Sequence, residues 1–284
     1  MGNGMGRWYL VLGILAFTAA SAKAGDAVMT WESGFVDIPD GRIAFYRTGG
    51  NHSPLLLAHG GVDNGLGWSR VASVLQKNFD IVMVDLRSHG RSSRVPPEIE
   101  DPSADDLAAV ITALGLGRPA VMGHSLGARS AARLAADYPG LVSRVVLEDP
   151  PFAEFRPPDD FIEQSKKGQA LSEAEIIASG KLMQPRWPDD EFPNWAMALK
   201  QADLEFISRL RFTNWEEPIR RIQAPTLVIY SDAELGGIVT HATAKEAVRL
   251  NPKITLAHIP GAGHNIRREK FDQYVTAVSD FLNQ

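Results

Sequence analysis

The 284-residue sequence contains no cysteine. That absence excludes disulfides, thiolate metal sites, thiol nucleophiles and a lipid-bearing cysteine anchor, and leaves an oxidising compartment tolerable. Clustered positive charge is also missing: 29 Lys and Arg residues are scattered among 34 Asp and Glu, for a formal net charge of −5. With no basic footprint to hold a phosphate backbone, nucleic acid is not an expected partner. No apolar run reaches the ~20 residues that a spanning helix needs. No internal repeat or low-complexity linker is visible either. What is there is 44% hydrophobic residues, enough for a real buried core in one large α/β domain or two small ones.

The first 24 residues read differently from the rest. Arg7 supplies a positive start, Trp8 to Ala20 form a short apolar run, and Ser21-Ala22-Lys23-Ala24 ends in a small-x-small pattern before Gly25-Asp26. This is the layout of a secretory signal peptide cleaved after Ala24. It predicts a periplasmic or secreted protein with no stable membrane span after processing. N-terminal sequencing of the mature chain from its host is expected to start at Gly25; a start at Met1 or Met5 refutes export.

From residue 34 onward, apolar runs of strand length alternate with helical patterns, the rhythm of a mostly parallel sheet wrapped by helices. Residues 34–49 predict an antiparallel hairpin turning at Pro39-Asp40-Gly41. Strand-like runs follow at 54–58, 81–85, 120–123, 142–148, 226–230 and 254–258. Asp101-Pro102-Ser103 is placed to start a helix over 104–114, and a last helix is predicted over 268–282. Between Pro150 and Gln223 the rhythm breaks into prolines, acidic clusters and aromatics such as Phe152, Trp187, Trp195 and Trp215. Inserted between two core strands, this interval predicts a helical cap over one end of the sheet. Most of its aromatics should pack the cap down, and a few should line a pocket for a substrate with apolar bulk.

The stretch "AVMGHSLGARSAARLA", residues 120–135, passes from strand to alanine-rich helix with a serine at the changeover. Gly123-His124-Ser125-Leu126-Gly127 is therefore a G-x-S-x-G in the strand-turn-helix setting that a nucleophile elbow requires. The sharp turn strains the serine backbone, and side chains two positions either way would collide with neighbouring elements. The Ser125 hydroxyl then stands at a helix N-terminus, where N–H groups favour a developing oxyanion. A serine needs a base to ionise near neutrality. His264, in the loop Pro260-Gly261-Ala262-Gly263-His264-Asn265 after the last strand, is the candidate. His124, the x of the motif, is expected to pack beside the elbow, and His59 and His89 sit in turns. Two oxyanion donors are expected, the N–H of Leu126 and that of Gly61 in His59-Gly60-Gly61-Val62-Asp63-Asn64-Gly65.

Taken together with Asp85-Leu86-Arg87-Ser88-His89-Gly90-Arg91-Ser92, these motifs resemble the α/β-hydrolase superfamily from about residue 34 to the end. The resemblance implies an eight-stranded, mostly parallel sheet flanked by helices, with a helical cap inserted after the sixth strand. In this sequence the core would be 25–150 and 219–284 and the cap 151–218, behind a signal peptide at 1–24. The D-x-R-x-H-G-x-S stretch has a structural role in that family. Members commonly place the triad acid after the penultimate strand, where this chain has Asp232 and Glu234; some place it after the strand that follows the elbow helix, where Asp149 lies. Asp149 is favoured, with Glu234 and Asp232 as alternatives. The implied chemistry is cleavage of a small-molecule carboxylic ester or lactone through an acyl-serine, with no cofactor and no metal. A serine nucleophile separates the chain from haloalkane dehalogenases and epoxide hydrolases, which carry aspartate. Carbon–carbon bond hydrolysis of a diketone and a non-catalytic receptor role remain as alternatives on the same fold.

Overall fold

A computed structural model describes residues 31–284; the signal-peptide reading lies outside the described residues. A hairpin opens the chain, β1 (Glu32–Ile38) and β2 (Gly41–Arg47), turning at Pro39-Asp40 as expected. Then follow β3 (Ser53–Ala58), α1 (Ser69–Leu75), β4 (Phe79–Val84), α2 (Ser103–Ala113), β5 (Ala120–His124), α3 (Leu126–Asp137) and β6 (Arg144–Glu148). After a helical interval come β7 (Thr226–Tyr230), α9 (His241–Leu250), β8 (Ile254–His258), α10 (Ile266–Glu269) and α11 (Phe271–Leu282). The eight strands form one sheet in the order β1-β2-β4-β3-β5-β6-β7-β8. β1 and β2 pair antiparallel with each other, and β2 with β4; every other pairing is parallel.

The inner strands β3 to β7 are near-continuous apolar runs because both faces are covered. On one face Leu56, Val82, Val121, Val145 and Leu147 pack under α2, α3 and α9. On the other, the alternate residues Leu55, Leu57, Ile81, Met83, Met122 and Val146 meet Trp68, α1 and α11. Chain order places the chemistry. β3 is flanked by β4 on one side and β5 on the other, so the loops leaving β3 and β5 run to opposite sides and leave a crevice at their carboxyl ends.

The interval between β6 and β7 is helical: α4 (Asp159–Ala170), α5 (Glu173–Met183), α6 (Phe192–Gln201), α7 (Leu204–Arg209) and α8 (Glu216–Arg221). Its β pairing among the described residues is a single bridge, Phe155 to Phe212. Ser172 and Glu175 start α5 with a reciprocal capping box. α6 rests on the loop after β3: Asn194 Nδ2 donates to Asn64 Oδ1 at 3.0 Å, and Asn64 Nδ2 donates to Gln201 Oε1 at 3.1 Å. One expectation needs correction. The last helix is not a single run over 268–282 but breaks at Lys270, whose φ of −136° and ψ of 55° are not helical. The break turns α10 so that Arg267 and Arg268 face inward, where both are buried.

α3 lies tight on the sheet because its inner face is alanine and glycine. A Cβ on Gly127 would sit 2.5 Å from the His59 carbonyl oxygen and collide with the Ala58 carbonyl. Gly127→Ala is therefore expected to push α3 off β3 and to destabilise the fold by at least about 1–3 kcal/mol. A urea denaturation midpoint equal to that of the parent chain would refute this packing argument.

Candidate active site

Ser125 stands between β5 and α3 with φ 52° and ψ −114°, a backbone conformation that costs a non-glycine residue energy. It is held there from both sides. Its N–H donates to the Glu148 carbonyl at 3.0 Å, and its own carbonyl accepts from Arg129 N–H at 3.0 Å. A Cβ on Gly123 would collide with the Gly127 backbone, so β5 can approach the start of α3 this closely only with glycine at 123, as β3 can only with glycine at 127. Gly60 is needed as well: a side chain there would start 2.7 Å from His124 Nδ1 and 3.4 Å from Ser125 Cβ.

Asp149 follows β6 directly and also has a positive φ, 41°. Its carboxylate is fully buried and accepts the backbone N–H of Ile238 (2.8 Å) and Val239 (3.0 Å). His264 Nδ1 lies 2.6 Å from Asp149 Oδ2. A buried carboxylate at that distance accepts a hydrogen bond from Nδ1–H, which fixes the proton there and leaves Nε2 as the basic atom of the ring. The other two acids go elsewhere. Asp232 pairs with His258 at 2.8 Å and accepts Gly261 N–H at 2.7 Å, which pins the base of the His264 loop. Glu234 is exposed on a short turn. Ser125 Oγ and His264 Nε2 are not hydrogen-bonded to each other here; proton transfer requires the approach that substrate binding commonly brings.

Leu126 is the first residue of α3, so its N–H is one of the helix's unsatisfied donors. Gly61 borders open space, since a Cβ added there meets nothing within 4 Å. The neighbouring Val62 has φ 52°, unusual for a β-branched residue, and packs against the buried Ile176, Ala196 and Leu199 cluster of the helical interval. The loop carrying Gly61 is anchored at its far end, where Asp85 Oδ1 accepts Gly65 N–H at 2.7 Å. Asp85 also accepts Arg91 N–H, and Arg87 pairs with Asp106 through two bonds of 2.8 and 2.9 Å. The 85–92 stretch thus staples β4 to its neighbours.

Three histidines around the site are sealed and neutral. Burial, with the neighbouring His89, pushes His59 down to about 3, and burial pushes His89 down to about 4. His124 lies well below its ordinary value, again through burial first and then the Arg267 charge. Their hydrogen bonds agree with single-proton rings. His59 Nε2 accepts Leu86 N–H at 3.0 Å, which assigns its proton to Nδ1 and the Gly60 carbonyl. His124 Nε2–H donates to the His264 carbonyl at 3.0 Å and supports the loop of the candidate base.

The residues that sequence reasoning missed are Asp63, Glu148, Glu191, Arg267 and Arg268, all buried. Arg267 Nη2 and Arg268 Nη2 both donate to Asp63 Oδ2, at 3.0 and 2.9 Å. Arg267 also reaches Glu148, and Arg268 Nε donates to Glu191 Oε2 at 2.9 Å. The sequence signal is faint: two consecutive arginines three residues after a candidate base.

The aromatics of the helical interval chiefly stack on one another, Phe152 on Trp215 (ring centroids 4.5 Å apart) and Phe155 on Phe212 (5.5 Å). A cavity of about 810 Å³ lies to one side, walled by charged residues including Asp40, Arg87, Asp101, Arg129 and Arg209; neither Ser125 nor His264 lines it. Among the described residues no cluster of three or more His, Asp or Glu side chains is arranged to hold a metal ion. No helix among them is long and apolar enough to cross a membrane.

The strained serine on a strand-to-helix turn, within an eight-stranded doubly covered sheet, defines a class. The chain belongs to the Alpha/beta hydrolase family, matched over residues 55–277. It is 31% identical over 257 residues to the N-formylmaleamate deformylase of Pseudomonas putida, covering 85% of this chain and 93% of that protein. It is 27% identical over 268 residues to the 2-(acetamidomethylene)succinate hydrolase of Mesorhizobium japonicum, covering 87% and 94%. The solved enol-lactonase from Burkholderia xenovorans superposes with a TM-score of 0.73 at 19% identity, over 88% of this chain and all of that one, which shows a shared fold.

A folded state that keeps three imidazoles neutral binds fewer protons than the unfolded chain below the ordinary histidine value of 6.5. Their stabilisation is complete above that pH and is lost as pH falls toward about 4, by up to about 1.4 kcal/mol per pH unit for each ring. Calorimetric melting between pH 7 and pH 4 should show this fall, and His89→Gln should make it shallower. An unchanged slope in the variant would count against the assignment.

Proposed function

We propose that the protein is a serine hydrolase that cleaves a carboxylic ester or lactone through Ser125, His264 and Asp149, with the N–H groups of Gly61 and Leu126 as the oxyanion hole. The observation that carries this reading is the 2.6 Å contact between His264 Nδ1 and the buried, doubly amide-bonded Asp149 carboxylate. It orients a base whose free nitrogen is the one a nearby hydroxyl can use. In this reading His264 Nε2 takes the Ser125 Oγ proton as Oγ bonds to the substrate carbonyl carbon. The carbonyl electron pair moves to its oxygen, held by the two N–H groups. Collapse breaks the bond to the alcohol oxygen, which leaves with the proton from Nε2. Water then repeats the sequence and releases the acid and free Ser125. Asp149 stays ionised throughout and offsets the imidazolium charge. No step calls on a cofactor. The reading also keeps residues 151–218 as a cap over a core of 25–150 and 219–284, and an exported protein cleaved after Ala24.

A second substrate class has specific support. The two curated relatives are named for N-acylated compounds that carry carboxylates, formylmaleamate and acetamidomethylene succinate. In this chain Arg186 is held by Glu269 at 2.5 Å, with Nη2 about 3.1 Å from where a side chain on Gly263 would begin, next to His264. A guanidinium there suits a carboxylate on the substrate. The same acyl-serine chemistry then cleaves a C–N rather than a C–O bond.

A panel of short and medium p-nitrophenyl esters, several lactones and an N-acyl enamine carboxylate separates the two. Ser125→Ala and Asp149→Asn are expected to lower kcat by about ten-thousand-fold or to background, and Glu234→Gln and Asp232→Asn to change it far less. Near-normal turnover by Asp149→Asn with collapse of Glu234→Gln or Asp232→Asn would overturn the triad. Release of amine from the enamine carboxylate without ester turnover would favour the second class.

A further inference from the structure

Five buried ionisable side chains, Asp63, Glu148, Glu191, Arg267 and Arg268, form one connected group that the proposed chemistry does not use. Their places in the fold are what matters. Asp63 lies in the loop after β3, two residues beyond Gly61. Glu148 ends β6, immediately before Asp149. Arg267 and Arg268 lie on α10, three and four residues beyond His264. Glu191 stands at the start of α6, in the helical interval.

Arg268 is the member that reaches across. Its Nε donates to Glu191 at 2.9 Å and its Nη2 to Asp63 at 2.9 Å, while its guanidinium lies 4.4 Å from the Trp187 ring centroid. Arg267 completes the base of the group, donating to Asp63 at 3.0 Å and to Glu148 at 3.3 Å and lying 4.4 Å from the Trp68 ring centroid. Asp63 in turn shapes its own loop, because its Oδ1 accepts Asn64 N–H at 2.9 Å. Burial opposes ionisation of Asp63, but the guanidiniums of Arg268 and Arg267 outweigh it and hold its carboxyl below the usual range. A buried charge that loses its partner is heavily penalised. Displacing α6 from Arg268, or Arg268 from Asp63, strands one.

We propose that Arg268 is a positioning residue that couples the seating of the cap to the geometry of the oxyanion loop, through Glu191 on one side and Asp63 on the other. The inference rests on the serine-hydrolase reading above. Lifting the cap leaves Arg268 half-partnered, so that it no longer holds Asp63 in one place and Arg267 alone fixes it from the other side; the Gly61 N–H two residues away moves with it. The oxyanion donor is thereby aligned only when the cap is down over a substrate. The Asn64 contacts with Asn194 and Gln201 act in the same direction from above.

The test compares Arg268→Gln, Arg268→Lys and Glu191→Gln with the parent chain in three assays below their melting temperatures. These are p-nitrophenyl acetate kinetics, affinity for a phenyl trifluoromethyl ketone that forms a tetrahedral adduct with the serine, and labelling by a fluorophosphonate. For Arg268→Gln, kcat is expected to fall at least tenfold with KM changed less than threefold, and adduct affinity to fall by the same factor as kcat. Arg268→Lys should recover part of both, and the acidic limb of the kcat–pH profile should keep its midpoint. Glu191→Gln, which leaves the Arg268–Asp63 pair intact, should show the same pattern in smaller measure and serves if Arg268→Gln does not fold. Variants that melt earlier yet keep kcat and adduct affinity within twofold overturn the proposal, as does a rise in KM alone. A parent chain that the fluorophosphonate fails to label overturns the serine-hydrolase reading, and this inference with it.

Discussion

The close approach of β3, β5 and α3 around Ser125 is the constraint on which the rest depends. Three glycines, 60, 123 and 127, each stand where a methyl group would meet backbone or a buried ring. Because they are absent obstacles, the helix can begin directly above the strand ends, and Ser125 is forced to φ 52° rather than relaxing into either element. The strain is sustained by the surrounding sheet, which over-determines the turn. The same compression that holds the serine sets the first N–H of α3 beside it and brings the loop of Gly60 and Gly61 alongside. Nucleophile and both candidate donors are thus consequences of one packing arrangement.

The His264–Asp149 half of the candidate site is built on the other side of β5. Asp149 is wholly buried, and its charge is tolerable because two backbone N–H groups and the His264 ring supply three donors. Its place after β6, rather than after β7, leaves the β7 turn free for another task. Asp232 there ties Gly261 and His258 together and so fixes the approach of the loop that presents His264. The sealed His124 adds a further prop through the His264 carbonyl. Burial keeps that ring neutral, so it supports the loop without placing a positive charge beside His264.

Beneath these parts, the Asp63–Arg267–Glu148 and Arg268–Glu191 pairs join the loop after β3, the end of β6, the turn after His264 and the helical interval. A hydrophobic contact would hold such segments together over a range of positions. A buried ion pair tolerates far less displacement, because the loss of a partner leaves a charge unsolvated. That difference gives the group its value for a site whose parts come from four separate stretches of chain.

Much of this was legible beforehand. Periodicity and turn residues located all eight strands to within about two residues, and the G-x-S-x-G with its strand and helix placed Ser125. His264 was singled out as candidate base from its glycine-rich loop between the last strand and the last helix. The break at Lys270 was not, since Arg268 to Leu282 carries an acceptable helical pattern and only inward pairing of two arginines explains the interruption. The acid was ambiguous for a plain reason: chain order and local composition suit Asp149, Asp232 and Glu234 alike, and only distance to the His264 ring distinguishes them. The sequence by itself determined the sheet and the elbow and singled out Ser125 and His264 as candidate nucleophile and base, because those follow from local sterics and period. Tertiary structure alone decided which carboxylate meets the base and how Asp63 finds Arg267 across 204 residues, because electrostatic partnership depends on separation in space, to which spacing along the chain gives no access.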